Sequence, residues 1–181
     1  MNTANKITIL RILMIPIFMV VLLVDFAYND FIAALIFVVA AATDGVDGYV
    51  ARKYNQITDF GKFIDPLADK LLVATALICL VDMGRISSWM AVIIIAREFI
   101  VTSLRIVAIS KGVVIAAEMT GKIKTVIQII ATVIALAFAQ DKFLIGEWSA
   151  SYIAMLIATL YTIYSGVVYL KNNWSLISET N

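Results

Sequence analysis

Asp44-Gly45-Val46-Asp47-Gly48-Tyr49-Val50-Ala51-Arg52, then eight residues, then Gly61-Lys62-Phe63-Ile64-Asp65-Pro66-Leu67-Ala68-Asp69, is the stretch around which the chain is organised. It holds four aspartates in two pairs, spaced i, i+3 and i, i+4. Either spacing puts two side chains on one face of a helix. Apolar runs flank the stretch on both sides, so these acids stand in a chain that otherwise avoids charge.

The 181 residues suffice for one domain. They are 62% hydrophobic and only 15% charged, with a mean hydropathy of +0.98. Soluble domains are roughly 45–50% apolar. A soluble fold of this size could not hide the excess, so lipid is the expected solvent. A net charge of +1 gives no reason to expect nucleic acid as a partner. The single cysteine, Cys79, lies in an apolar run and reads as a packed thiol. Histidine is absent, so acid–base chemistry falls to carboxylates, Lys, Tyr or Cys.

Hydropathy predicts an all-α integral membrane protein, a single six-helix domain over 1–181. Its spans are 7–27, 31–51, 62–82, 87–109, 121–140 and 148–170, each near the ~20 residues a crossing helix needs. The first has Lys6 and Arg11 before an apolar run, like a signal peptide. The run continues to Val24 without an obvious small-residue cleavage site and reads as a retained helix. The links are short, and the tail from Lys171 is polar and reads as frayed. With six spans both termini share one side. All 14 basic residues except Arg85 and Lys142 fall on that side or on helix halves facing it, with Arg97 nearest mid-helix. The bias makes it cytoplasmic.

Asp44 precedes Arg52 by eight residues and Asp69 follows Gly61 by eight. At 1.5 Å per residue both acids lie roughly 12 Å from their cytoplasmic helix ends. Asp47 and Asp65 are shallower. Two antiparallel helices could bring the four carboxylates together, and small residues at Gly48, Ala51 and Gly61 would let a backbone or ligand approach. Four clustered carboxylates repel one another, and a divalent cation such as Mg²⁺, Mn²⁺ or Ca²⁺ relieves that. Two metals about 3.5–4 Å apart recur in phosphoryl chemistry. The bland alternative is an interfacial charge network of the acids with Arg52, Lys53, Lys62 and Lys70.

The pattern Asp-x2-Asp-Gly-x2-Ala-Arg-x8-Gly-x3-Asp-x3-Asp resembles the signature of the CDP-alcohol phosphotransferases, integral membrane enzymes of phospholipid synthesis. Asp44, Asp47, Gly48, Ala51, Arg52, Gly61, Asp65 and Asp69 fill its fixed positions. The resemblance implies six helices, two divalent metals (Mg²⁺ or Mn²⁺), a homodimer and a bacterial cytoplasmic membrane. It implies that Asp44, Asp47 and Asp65 are the core metal ligands and that Asp69 is the general base, also close to the second metal. Gly48, Ala51 and Arg52, with Gly61, would line the CDP site.

Arg97, Glu98 and Arg105 interrupt the fourth span, and Lys122 and Lys124 open the fifth. Intramembrane cations are functional candidates, and this cluster suits a phosphorylated acceptor. Snorkelling of the lysines and an Arg97–Glu98 pair are the structural alternatives. Ile95-Ala96-Arg97-Glu98-Phe99, Gly121-Lys122-Ile123-Lys124-Thr125 and Asn5-x2-Thr8-x2-Arg11 are similar to stretches of bacterial family members that act on glycerol 3-phosphate. The last places Asn5 and Thr8 near the nucleotide or metals, with helix capping as the alternative. The expected reaction joins CDP-diacylglycerol to sn-glycerol 3-phosphate. The rivals are a sister enzyme using inositol phosphate, serine or phosphatidylglycerol, and a cation-coupled transporter.

Overall fold

A computed structural model describes residues 3–53, 59–113, 115–116, 118–138, 144–145 and 148–174, with the side chains of 3–4, 44–53, 59–60, 62–63, 66, 144–145 and 148 outside the description. The described residues form six helices: α1 (Thr3–Leu23), α2 (Asn29–Lys53), α3 (Asp59–Asp82), α4 (Ser88–Ser110), α5 (Met119–Ala137) and α6 (Ala150–Asn172). Strands β1 (Leu144–Ile145) and β2 (Trp148–Ser149) pair antiparallel between α5 and α6, Leu144 opposite Ser149 and Ile145 opposite Trp148.

The helix ends differ from the hydropathy spans where side chains, not apolar content, set them. The first span was expected to reach residue 27, but α1 stops at Leu23. Asn29 Nδ2 donates to the carbonyls of Leu22 at 3.3 Å and Val24 at 3.1 Å, groups a helix end leaves unsatisfied. The sixth helix begins at Ala150 rather than 148, because Trp148 and Ser149 belong to β2. Ser149 then caps α6 by accepting from the Tyr152 amide.

α3 and α4 end in the same way. Gly84 (φ 69°) donates to Val81 O and Arg85 N to Leu80 O. Gly112 (φ 75°) donates to Ile109 O and Val113 N to Ala108 O. Both are left-handed glycine closures that satisfy the last carbonyls.

α1 packs on α2 and α3, and α6 on α4 and α5; α2 also meets α5, and α3 meets α4. Phe18, Phe37, Leu72, Leu77, Met90, Ile94, Leu136 and Met155 are fully buried in one core. Cys79 is a buried thiol of that core. The Phe18 and Phe37 ring centroids lie 6.0 Å apart. In lipid the medium is as apolar as leucine, so packing and polar contacts drive association and small residues matter. Ala33, Ala40, Ala68, Ala76, Ala108 and Ala135 are buried where helices approach. Leu13, Phe31, Val92, Ile106 and Val126 are exposed outward.

Among the described residues, Asn5–Leu23, Met119–Ala137 and Ala150–Asn172 are long and apolar enough to cross a membrane, and Asn29–Thr43 is a shorter apolar helix. α3 and α4 carry charges inside their lengths, among them Asp69, Lys70, Arg97 and Glu98.

At the opposite end of the bundle from the α2–α3 link, Arg85 ties three elements. Its Nη2 donates to Asp30 Oδ1 at 2.6 Å, and its Nη1 to the carbonyls of Ala135 (3.4 Å) and Leu136 (3.3 Å). The cation thus sits at the C-terminus of α5, where the helix dipole favours it. Arg85→Ala is expected to cost about 2 kcal/mol by leaving Asp30 without this partner. Unfolding in detergent measures this, and a variant as stable as the parent would show the tie to be dispensable.

Candidate active site

Two turns near the start of α1 present a polar face. Asn5, Thr8 and Arg11 are 7%, 1% and 0% exposed, although Leu10, Leu13 and Ile17 on the same helix face outward. The spacing of three keeps the polar side chains together. Thr8 Oγ1 donates to Asp65 Oδ1 at 2.6 Å. Arg11 Nε donates to Thr43 Oγ1 at 3.1 Å, and that hydroxyl donates to Ala40 O at 2.6 Å. Thr43 immediately precedes Asp44. α1 therefore grips both acid-bearing helices, one at Asp65 and the other beside Asp44.

Asp65 and Asp69 are half-buried one turn apart on α3, and Gly61 is buried one turn before them. Asp44, Asp47, Gly48, Ala51 and Arg52 lie on α2, and their side chains fall outside the described residues. Among the described residues no group of three or more acids or thiols stands ready to hold a metal ion, while the carboxylates of Asp65 and Asp69 are oxygen donors of the kind a hard divalent cation takes. The Thr8 hydroxyl holds one Asp65 oxygen, as residues behind a metal ligand do. Thr8→Val is expected to weaken divalent-metal affinity about 10–100-fold. Calorimetric Mn²⁺ titration checks this, and unchanged affinity would reduce the contact to helix packing.

A second cluster is built on Glu98. Lys70 Nζ donates to its Oε2 at 2.9 Å. Lys124 Nζ and Arg97 Nη1 both donate to its Oε1, the latter at 3.3 Å. Arg97 Nη2 also donates to Ser165 Oγ of α6 at 3.0 Å. The arginine runs past Gly166, where an added Cβ would stand 3.2 Å from Arg97 Cγ, so a small residue there makes room. One carboxylate thus gathers three cations from α3, α4 and α5.

Arg105 and Lys122 stand apart from this cluster. Arg105 lies two turns along α4 from Arg97, about 12 Å. Its Nε donates to Tyr169 Oη at 3.2 Å, with the guanidinium 5.7 Å from the ring centroid. Lys122 is exposed whereas Lys124 is 3% exposed. Two residues turn a helix by about 200°, which sends the two lysines to opposite sides.

A cavity of about 180 Å³ between α2, α3, α4 and α5 brings Asp69 together with the Glu98 cluster. Asp69, Lys70, Glu98, Lys124 and Gln128 line it, among apolar walls that include Phe37 and Ile94. Sequence reasoning placed Lys70 only among topology markers and partners of the acids, and it did not single out Gln128, Ser165 or Gly166. The spacing of four between Lys124 and Gln128 was the signal available for one of them.

The family model described as CDP-alcohol phosphatidyltransferase matches residues 1–164. A Bacillus subtilis (strain 168) protein named CDP-diacylglycerol--glycerol-3-phosphate 3-phosphatidyltransferase is 44% identical over 192 aligned positions, covering 99% of both chains. Proteins of the same name from Yersinia pestis (strain Pestoides F) and Rickettsia felis are 36% and 35% identical. They cover 99% and 94% of this chain, and 98% and 94% of their own.

Proposed function

The chain belongs to the CDP-alcohol phosphatidyltransferase family, and from that premise and the geometry of its site we propose that it transfers the phosphatidyl group of CDP-diacylglycerol to sn-glycerol 3-phosphate. The products are phosphatidylglycerophosphate and CMP. The observation that carries the reading is the cavity that places Asp69 with Lys70, Glu98 and Lys124.

Asp69 takes the proton of the acceptor's hydroxyl. That oxygen forms a bond to the lipid-side phosphorus, and the bond from this phosphorus to CMP breaks. Lys70, Lys124 and Arg97 supply positive charge for the acceptor's phosphate. Glu98 holds them in register, and Ser165 orients the arginine. Arg105 and Lys122 draw the anion toward the cavity mouth. Asn5, Gly48, Ala51, Arg52 and Gly61 line the CDP site beside Thr8 and Asp65.

Asp44, Asp47, Asp65 and Asp69 would hold two divalent cations, Mg²⁺ or Mn²⁺. When bound, these offset the pyrophosphate charge and that developing at the attacked phosphorus. The family's six membrane spans, the cytoplasmic location of site and termini in a bacterial inner membrane, and the homodimer belong to the same reading. The bias of basic residues supports the orientation.

The test is CMP release by the protein in detergent with CDP-diacylglycerol and Mg²⁺ or Mn²⁺. Glycerol 3-phosphate is compared with inositol phosphate, serine and phosphatidylglycerol, with EDTA as a control. Release that requires glycerol 3-phosphate and metal is the expected result. Release with a different alcohol alone would replace the acceptor, and persistence in EDTA would remove the metals.

A further inference from the structure

We infer that Gln128 is a specificity-determining residue that accepts a hydrogen bond from the hydroxyl of the acceptor that does not react. The inference rests on the function proposed above. Gln128 is 4% exposed and lines the cavity with Asp69 and Lys124. Its Oε1 is buried without a hydrogen-bond partner among the described residues. A buried polar atom without a partner costs free energy, so such an atom beside a cavity points to a ligand.

The unpaired atom is an acceptor, so the group that meets it must carry a hydrogen. Phosphate diester and carboxylic ester oxygens of CDP-diacylglycerol carry none. The ribose and the cytosine amino group do, but Phe37 and Ala41 form the α2 wall of this cavity. Gly48, Ala51 and Arg52, expected at the nucleotide, lie at least seven residues further along that helix, about 10 Å. Glycerol 3-phosphate has two hydroxyls. One attacks and gives its proton to Asp69; the other, on C2, remains. Gln128 is nine residues into α5 and Asp69 ten residues into α3, and both open on the one cavity. Lys124, one turn before Gln128 on the same buried face of α5, is placed for the phosphate. A three-carbon acceptor would then span phosphate, spare hydroxyl and attacking hydroxyl.

The test compares sn-glycerol 3-phosphate with 3-hydroxypropyl phosphate, which keeps the phosphate and the attacking hydroxyl and lacks only the C2 hydroxyl. The parent enzyme is expected to prefer glycerol 3-phosphate in kcat/KM by about 10–100-fold, the effect of leaving one buried acceptor unpaired. Gln128→Met is expected to lose that preference by lowering kcat/KM for glycerol 3-phosphate while leaving the deoxy acceptor within about twofold. Gln128→Glu keeps an acceptor oxygen at the same reach and is expected to retain the preference, whatever its absolute rate. The ratio of two acceptors does not depend on how much variant is folded. Gln128→Met with the parent's preference, or with both acceptors lowered equally, would overturn the assignment while leaving the reaction intact. A parent enzyme inactive with glycerol 3-phosphate would overturn both.

Discussion

Asp69→Asn is expected to lower kcat for CMP release by about 10²–10⁴-fold, the usual contribution of a positioned proton acceptor. The amide matches the carboxylate in shape but cannot take the acceptor's proton. Folding should be little affected, because Asp69 is half-buried at a cavity wall while Asp65, one turn away, keeps its bond from Thr8. Turnover at saturating substrates, beside a melting curve for each protein, is the measurement. A folded Asn variant that keeps a tenth or more of parental turnover would end the assignment of Asp69 as base. Retained turnover would then move the proton to another group on the cavity, with Glu98 the next carboxylate there.

Glu98→Gln is expected to be the most destabilising single change in the site, by about 3–5 kcal/mol. The carboxylate is the shared counter-ion of Lys70, Lys124 and Arg97, whose side chains are 23%, 3% and 12% exposed. Without it, cations from three helices would face one another in a low-dielectric interior, and repulsion would replace attraction. Denaturant unfolding in detergent measures the loss. Adding Lys70→Met to Glu98→Gln should recover part of it, since one of the uncompensated charges goes. A Glu98→Gln protein within about 0.5 kcal/mol of the parent would mean the cluster holds little energy. Activity should fall as well, because the lysines lose the contact that fixes them beside Asp69.

The all-helical architecture was legible because apolar runs of about 20 residues report membrane-length helices, and among the described residues three helices are long and apolar enough to cross a membrane. Helix ends were less legible. The end of α1 depends on Asn29 reaching back to Leu22 and Val24, and the short β1–β2 ladder depends on backbone pairing that hydropathy does not register. The placement of Asp65 and Asp69 one turn apart on α3 was legible because helical periodicity fixes which side chains share a face.

What the sequence by itself determined is therefore what is local in the chain. It set the membrane character, the two acid pairs, the bias of basic residues and the signature that carries the family. The tertiary structure alone decided which distant residues meet. Periodicity assigned Asn5, Thr8 and Arg11 a common face, but only the packing of α1 on α2 and α3 gave Thr8 to Asp65 and Arg11 to Thr43. Four cations in α4 and α5 read as one group. Helix phase and packing sent Lys124 and Arg97 inward to Glu98, left Lys122 exposed, and gave Arg105 to Tyr169. Lys70, which looked like a topology marker, became a wall of the cavity. A side chain's rotation about its own helix follows from spacing, whereas its partner depends on how neighbouring helices are turned. Contacts far apart in sequence settle that turn, and no single segment encodes it.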